Sequence, residues 1–103
     1  MARSIAWSEV ARGQLREITD WLKQYQPAGA GKITADILSR VRLLAAAPGM
    51  GRVHSRLGAY TVREILAGPY RVFYADYDDK NEISIVTIWH SSRAEPPAHL
   101  LNG

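Results

Sequence analysis

The sequence predicts an α+β fold in the order βααβββ, a helical hairpin packed on a small antiparallel β-sheet. Two stretches of helical apolar periodicity occupy the first half of the chain, and three β-branched and aromatic runs occupy the second. Turn-forming residues punctuate those later runs where hairpins need them.

Ile5 and Trp7 fall on one face of a short first strand, Arg3 to Trp7. Ser8 follows with a hydroxyl suited to accept an orphan backbone N–H, and Glu9 suits the positive end of a helix. Ala11, Leu15, Ile18, Leu22 and Tyr25 recur at spacings of four and three, the apolar stripe of an amphipathic helix. Pro27, Gly29 and Gly31 predict a short connection, because proline lacks a backbone donor and glycine disfavours helix. A second helix is expected from near Ala30, with the stripe Ile33, Ile37, Val41 and Leu44 broadened by Leu38 and Ala45. It stops before Pro48-Gly49, and so short a link makes the two helices antiparallel.

Residues 48–58 hold one proline and three glycines and read as a loop. Tyr60 to Ile65, Tyr70 to Tyr77 and Ile83 to His90 read as a meander turned by Gly68-Pro69 and Asp78-Asp79-Lys80-Asn81. A register pairing Ile65 with Tyr70 sets Glu64 opposite Arg71 as a cross-strand ion pair. The hairpin covers the meander, the first strand joins the sheet with its partner unspecified, and the tail from about Ala94, with Pro96-Pro97, is expected to be irregular.

A length of 103 residues suits one domain spanning 1–103, and 47% hydrophobic against 22% charged residues excludes a disordered chain. With no cysteine, disulfides, thiolate zinc sites and thiol catalysis are excluded. No apolar run is long enough for a membrane span, and residues 1–7 do not resemble a signal peptide, so a cytoplasmic location is expected. The net charge of +3 permits an anionic partner but falls short of a nucleic-acid-binding composition. The positive charge that bears on function lies from Arg52 onward, in Arg52, Arg56, Arg63, Arg71 and Arg93 beside His54 and His90. His54, His90 and His99 lack paired ligand spacing, and Gly49-Met50-Gly51 precedes neither helix nor lysine, so neither metal nor cofactor is expected.

Several segments, in order, carry a family likeness. Trp7-Ser8 with Ala11, Leu15 and Ile18 resembles the opening of ParE-type toxins, and Pro48-Gly49-Met50-Gly51-Arg52 their loop after the second helix. Val62-Arg63-Glu64 with Gly68-Pro69-Tyr70-Arg71-Val72-Phe73-Tyr74 resembles their central hairpin, and Ile88-Trp89-His90-Ser91-Ser92-Arg93 their last strand and exit. On this likeness, from Ile5 to about Arg93, the chain is identified as a member of the ParE/RelE superfamily. The resemblance implies a toxin of a type II toxin–antitoxin system, held in a hetero-oligomer by a cognate antitoxin. It also implies one of two targets: ParE-type members inhibit DNA gyrase, whereas RelE-type members cut messenger RNA on the ribosome, and one scaffold hosts both activities.

RNA cleavage needs a base, an acid and phosphate-binding cations in one cleft. Arg71 and Arg93 suit the phosphate and His90 the proton transfer. RelE-type enzymes, however, carry lysines or a glutamate before the meander and a catalytic tyrosine near the C-terminus. Here that region has Arg52, His54 and Arg56, and no tyrosine follows Tyr77. The expectation is therefore a non-enzymatic gyrase inhibitor with no catalytic residue, binding its target through Arg63, Arg71, His90 and Arg93. The alternatives are a ribosome-dependent endonuclease using His90, Arg71 and Arg93, and a non-toxic relative that only binds antitoxin. Trp21 and Leu22 are the expected antitoxin contacts, since partly exposed helix stripes and an open sheet edge suit a segment that folds on binding. Their ordinary alternative is core packing, as it is for Trp89.

Overall fold

In the computed structural model, which describes residues 2–77 and 79–102, the chain forms β1 (Ser4–Trp7), α1 (Glu9–Tyr25), α2 (Pro27–Leu43), β2 (Arg52–Leu57), β3 (Tyr60–Ala67), β4 (Tyr70–Tyr77) and β5 (Glu82–His90). Short 3₁₀ turns lie at Pro48–Met50 and Ala98–Leu101. The strands make one sheet in the order β1-β5-β4-β3-β2, with β1 parallel to β5 and the other pairs antiparallel. The α+β class holds, but the sheet is mixed and has a strand where a loop was expected. Asp78 of the expected turn lies outside the described residues, as do Met1 and Gly103.

Helix α1 starts as its sequence predicts, with Ser8 Oγ accepting the Ala11 N–H at 3.0 Å. Ala11 and Leu22 are buried, and Leu15 and Ile18 pack against the core. Tyr25 departs from the stripe, being exposed and packed at a tilt against Trp21 with ring centroids 5.1 Å apart. Helix α2 begins at Pro27, not near Ala30, because the first helical position needs no backbone donor and proline's fixed φ is already helical. Its Ile37, Val41 and Leu44 are buried with Ile65, Val72, Tyr74, Ile83 and Ile85 in the core between helices and sheet.

The segment read as a loop is ordered by a residue far away. Tyr74, fully buried, donates its hydroxyl to Pro48 O at 2.7 Å and accepts the Gly51 N–H at 2.9 Å. A Cβ at Gly51 would stand 2.4 Å from that hydroxyl, so only glycine allows the approach. The chain then enters β2, an edge strand with a bulge between Val53 and Ser55. The β2–β3 and β3–β4 turns have two residues each, with Gly58 and Gly68 at φ +65° and +57° in the first position. Ala67 pairs with Tyr70, so Arg71 faces Leu66 and Glu64 faces Phe73, a register two residues from the one considered above.

The face of the sheet away from the helices is not bare. Val62, Phe73, Ala75, Val86 and Trp89 form a second apolar cluster there, closed by Leu101 with Leu100 beside it. Trp89 Nε1 donates to Ala94 O at 2.7 Å, Pro96 is buried, and Thr87 Oγ1 donates to Leu100 O. The tail expected to be irregular is thus a strap across the sheet, covering strands that are apolar on both faces. Among the described residues no helix is long and apolar enough to cross a membrane.

Candidate functional site

The strap and β2 frame a line of alternating charges on the helix-free face. Glu64 projects from β3 with 5% of its surface exposed, and a carboxylate so buried requires partners. Its Oε2 accepts from Arg71 Nε at 2.7 Å, and its Oε1 accepts from Arg52 on β2. Arg71 directs a second donor, Nη1, to Glu95 of the strap. The other Glu95 oxygen stands 3.0 Å from His54 Nε2, within reach of a proton on that nitrogen. Phe73 is the floor: the Arg71 guanidinium carbon lies 4.8 Å from its centroid, and the His54 ring meets it edge-on at 5.3 Å.

Three of these groups, Arg71, Glu64 and Glu95, are held in their ionised form by their neighbours. Hydrogen bonds to Glu95 and Glu64 make Arg71 keep its proton more tightly than a free guanidinium. Burial pushes the Glu64 carboxyl up, but the hydrogen bonds from Arg71 and Arg52 outweigh it and hold the group below the usual carboxylate range. Arg71, and after it His54, pulls the exposed Glu95 carboxyl down to about 2.

Of the four residues expected to bind the target, only Arg71 belongs to this network. Arg63 neighbours Glu64 on β3, so strand alternation turns it to the helix-covered side. There Nη1 donates to Gly51 O at 3.0 Å and Gly49 O at 3.3 Å, and Nε lies 3.5 Å from Asp76 Oδ2. These bonds make Arg63 a brace for the turn into β2. His90 pairs with Tyr70 at the end of β5, also on the helix side, with the two rings edge-on at 5.2 Å. Its Nδ1 accepts from the Ser92 N–H at 3.1 Å and the Ser92 hydroxyl at 2.7 Å. Arg93 lies just beyond the strand, its guanidinium carbon 3.6 Å from the Trp89 ring centroid. His90 and Arg71 therefore stand on opposite faces, and the set His90, Arg71 and Arg93 is not assembled into one cleft. The residue that sequence reasoning passed over is Glu95; its partners lie 24 and 41 positions away, which leaves no local signal.

On the helix side, a cleft of about 420 Å³ opens between the two helices and the ends of β4 and β5, lined by Trp21, Leu22, Gln26, Ile33, Tyr70, His90 and Arg93 among others. Trp21 is 51% exposed and forms an apolar wall, while Leu22, 2% exposed, belongs to the core and shows only its edge.

A family model described as the ParE toxin of the type II toxin–antitoxin system parDE matches residues 5–95. The chain belongs to this ParE toxin family. It is accordingly a type II toxin of the ParE/RelE superfamily. Among solved structures it is similar to a chain of the chromosomal ParDE system of P. aeruginosa, with 26% identity, a TM-score of 0.68, and coverage of 86% of this toxin and 96% of that chain. The archaeal RelE–RelB complex of Pyrococcus horikoshii has the same fold at 15% identity and TM-score 0.69, covering 91% of this toxin and 100% of that chain. The RelBE2 complex of Mycobacterium tuberculosis has it at 19% identity and TM-score 0.62, covering 87% and 99%. No curated protein sequence matches significantly.

Proposed function

We propose that the toxin is a non-enzymatic inhibitor of DNA gyrase, engaging it through the helix-free face and the strap, while the helix-side cleft holds a cognate antitoxin. The observation that carries this reading is the separation of His90 from Arg71 by the thickness of the sheet. Phosphodiester cleavage needs proton transfer and anion stabilisation at one reacting phosphate. An inhibitor that acts by binding needs only a matched surface. On this reading Arg71 and the outlying Arg52 face the target, Arg63 serves the fold, and His90 and Arg93 belong with the antitoxin cleft.

An antitoxin partner is supported by the similar structures, which are a ParDE system and RelE–RelB and RelBE2 complexes. The cleft beside Trp21 suits an apolar side chain of an inserted helix, and the exposed edge of β2 suits an added strand. Both partners are macromolecules of the cytoplasm, where we place the toxin.

A RelE-type reading draws on one specific observation: His54 is oriented by Glu95 beside Arg71, an imidazole, a carboxylate and a cation together. Against it, Arg71 already meets a carboxylate on two sides. Purified toxin added to a gyrase supercoiling assay decides between them. The proposal expects loss of supercoiling with messenger RNA left intact on ribosomes; unaffected supercoiling with cleaved messenger RNA overturns it. A strain that grows normally with free toxin present supports the non-toxic relative instead.

A further inference from the structure

We propose that Glu95 is a built-in competitor: from the strap, it occupies the place between Arg71 and His54 where an acidic side chain of a protein partner binds. Two guanidinium groups, Arg52 and Arg71, stand against the single buried carboxylate of Glu64, which leaves one positive charge uncompensated within the sheet itself. Glu95 cancels it from outside. The two carboxylates differ in kind. The Glu64 side chain is 4% exposed and built into β3, whereas the Glu95 side chain is 63% exposed on a segment without regular structure. An ion pair open to water is weak, so Glu95 is the member that exchanges.

Arg71 stays in position when it does. Glu64 holds its Nε, and Phe73 supports the guanidinium from below, so an incoming carboxylate meets a donor that is already ordered. Ala94 and Pro96 anchor the strap on either side of Glu95, so the side chain can swing away while the strap remains.

The surroundings favour an acidic peptide over a nucleic acid. Arg71 and His54 cover Phe73 and leave no open aromatic face on which a base could stack. Beside Arg71, a depression of about 250 Å³ is lined by Arg52, Glu64 and Leu66, and Leu66 is 61% exposed. That gives a neighbouring apolar side chain of a peptide its contact. The inference rests on the helix-free face being the target-facing one, but its test needs neither gyrase nor ribosome.

The probe is a capped Ala-Glu-Pro-Pro peptide, with its Ala-Gln-Pro-Pro counterpart, inorganic phosphate and a short single-stranded RNA as separate arms. Each is titrated into isotope-labelled full-length toxin while the Arg71 Nε–H and His54 ring signals are followed. If Glu95 fills its place in at least nine molecules of ten, Glu95→Gln binds the acidic peptide at least about tenfold more tightly than the native toxin. Glu95→Asp, with a shorter carboxylate on an otherwise native strap, gains in the same direction, and adding Arg71→Gln to Glu95→Gln removes the gain. The Trp89 indole signal reports that the strap stays docked in every variant. Equal affinity of native and Glu95 variants, or equal binding of the two peptides, overturns the proposal. A larger gain for phosphate or RNA than for the peptide overturns it in favour of a nucleic-acid partner. Failure here with supercoiling still inhibited leaves the gyrase reading standing, and peptide binding with supercoiling untouched removes that reading alone.

Discussion

Glu64→Ala removes the carboxylate on which two guanidinium groups converge, and burial sets its cost. The Glu64 side chain is 4% exposed and that of Arg71 13%. Breaking a buried pair strands the remaining charge, at roughly 3–5 kcal/mol. Two features draw the estimate to the lower end. Arg71 keeps Glu95 as a partner, and the Arg52 side chain, 78% exposed, returns to water, where such pairs contribute only ~0–1 kcal/mol. The expected loss is therefore about 3 kcal/mol, or about 12 °C or more in Tm for a domain of this size. Urea unfolding followed by tryptophan fluorescence measures it. Replacing the pair together, Glu64→Leu with Arg71→Met, recovers much of the loss, because apolar groups over Phe73 need no partners. A loss below about 0.5 kcal/mol for Glu64→Ala would mean that water screens the pair and that no fixed network holds this face.

Other outcomes follow from the same structure. Tyr74→Phe leaves Pro48 O and the Gly51 N–H without their buried partner and costs about 2 kcal/mol by urea unfolding; an unchanged midpoint would mean the turn is ordered by something else. Leu101→Ala, on the underside of the strap, costs about 2 kcal/mol, near the low end for a core leucine because a terminal segment relaxes by lifting, and it speeds hydrogen exchange of the second apolar cluster. Exchange left unaltered there would detach the strap from that core. Acid should release Glu95, whose folded value of about 2 lies below the ordinary 4.5. A depressed carboxylate contributes stability that is present above the ordinary value and lost as pH falls toward the folded one. The Ala94 and Glu95 amide shifts should thus move between about pH 4.5 and 2, and Glu95→Gln should abolish the change. A midpoint at the ordinary value would deny Glu95 its partners.

What the sequence made legible was what local chemistry decides. The Ser8 cap, the Gly68-Pro69 turn and the bounds of β4 need only neighbouring residues to specify them. β2 was hidden because its order comes from the Tyr74 hydroxyl, 23 and 26 residues from the groups it binds. The start of α2 was misplaced because Pro27 was weighed as a breaker where it serves as a first helical residue. The strap had a readable signal. Ile83, Ile85, Val86, Ile88 and Trp89 make β5 apolar on both faces, which calls for a cover on each, and Leu100-Leu101 were apolar residues left unassigned. At the candidate site the Glu64–Arg71 ion pair was anticipated, although it forms diagonally and not between directly opposed residues. Alternation along β3 already separates Arg63 from Glu64, so only a grouping by charge alone put Arg63 with Arg71.

The central claim is a division of labour between two faces, with antitoxin on the helix side and target on the strap side. Hydrogen exchange of the toxin, free and bound to its cognate antitoxin, tests it most directly. The account predicts new protection across the second half of α1, around Trp21 and Leu22, and at the ends of β4 and β5, with residues 94–101 exchanging as in the free toxin. Protection confined to the strap, with both helices unchanged, would contradict it.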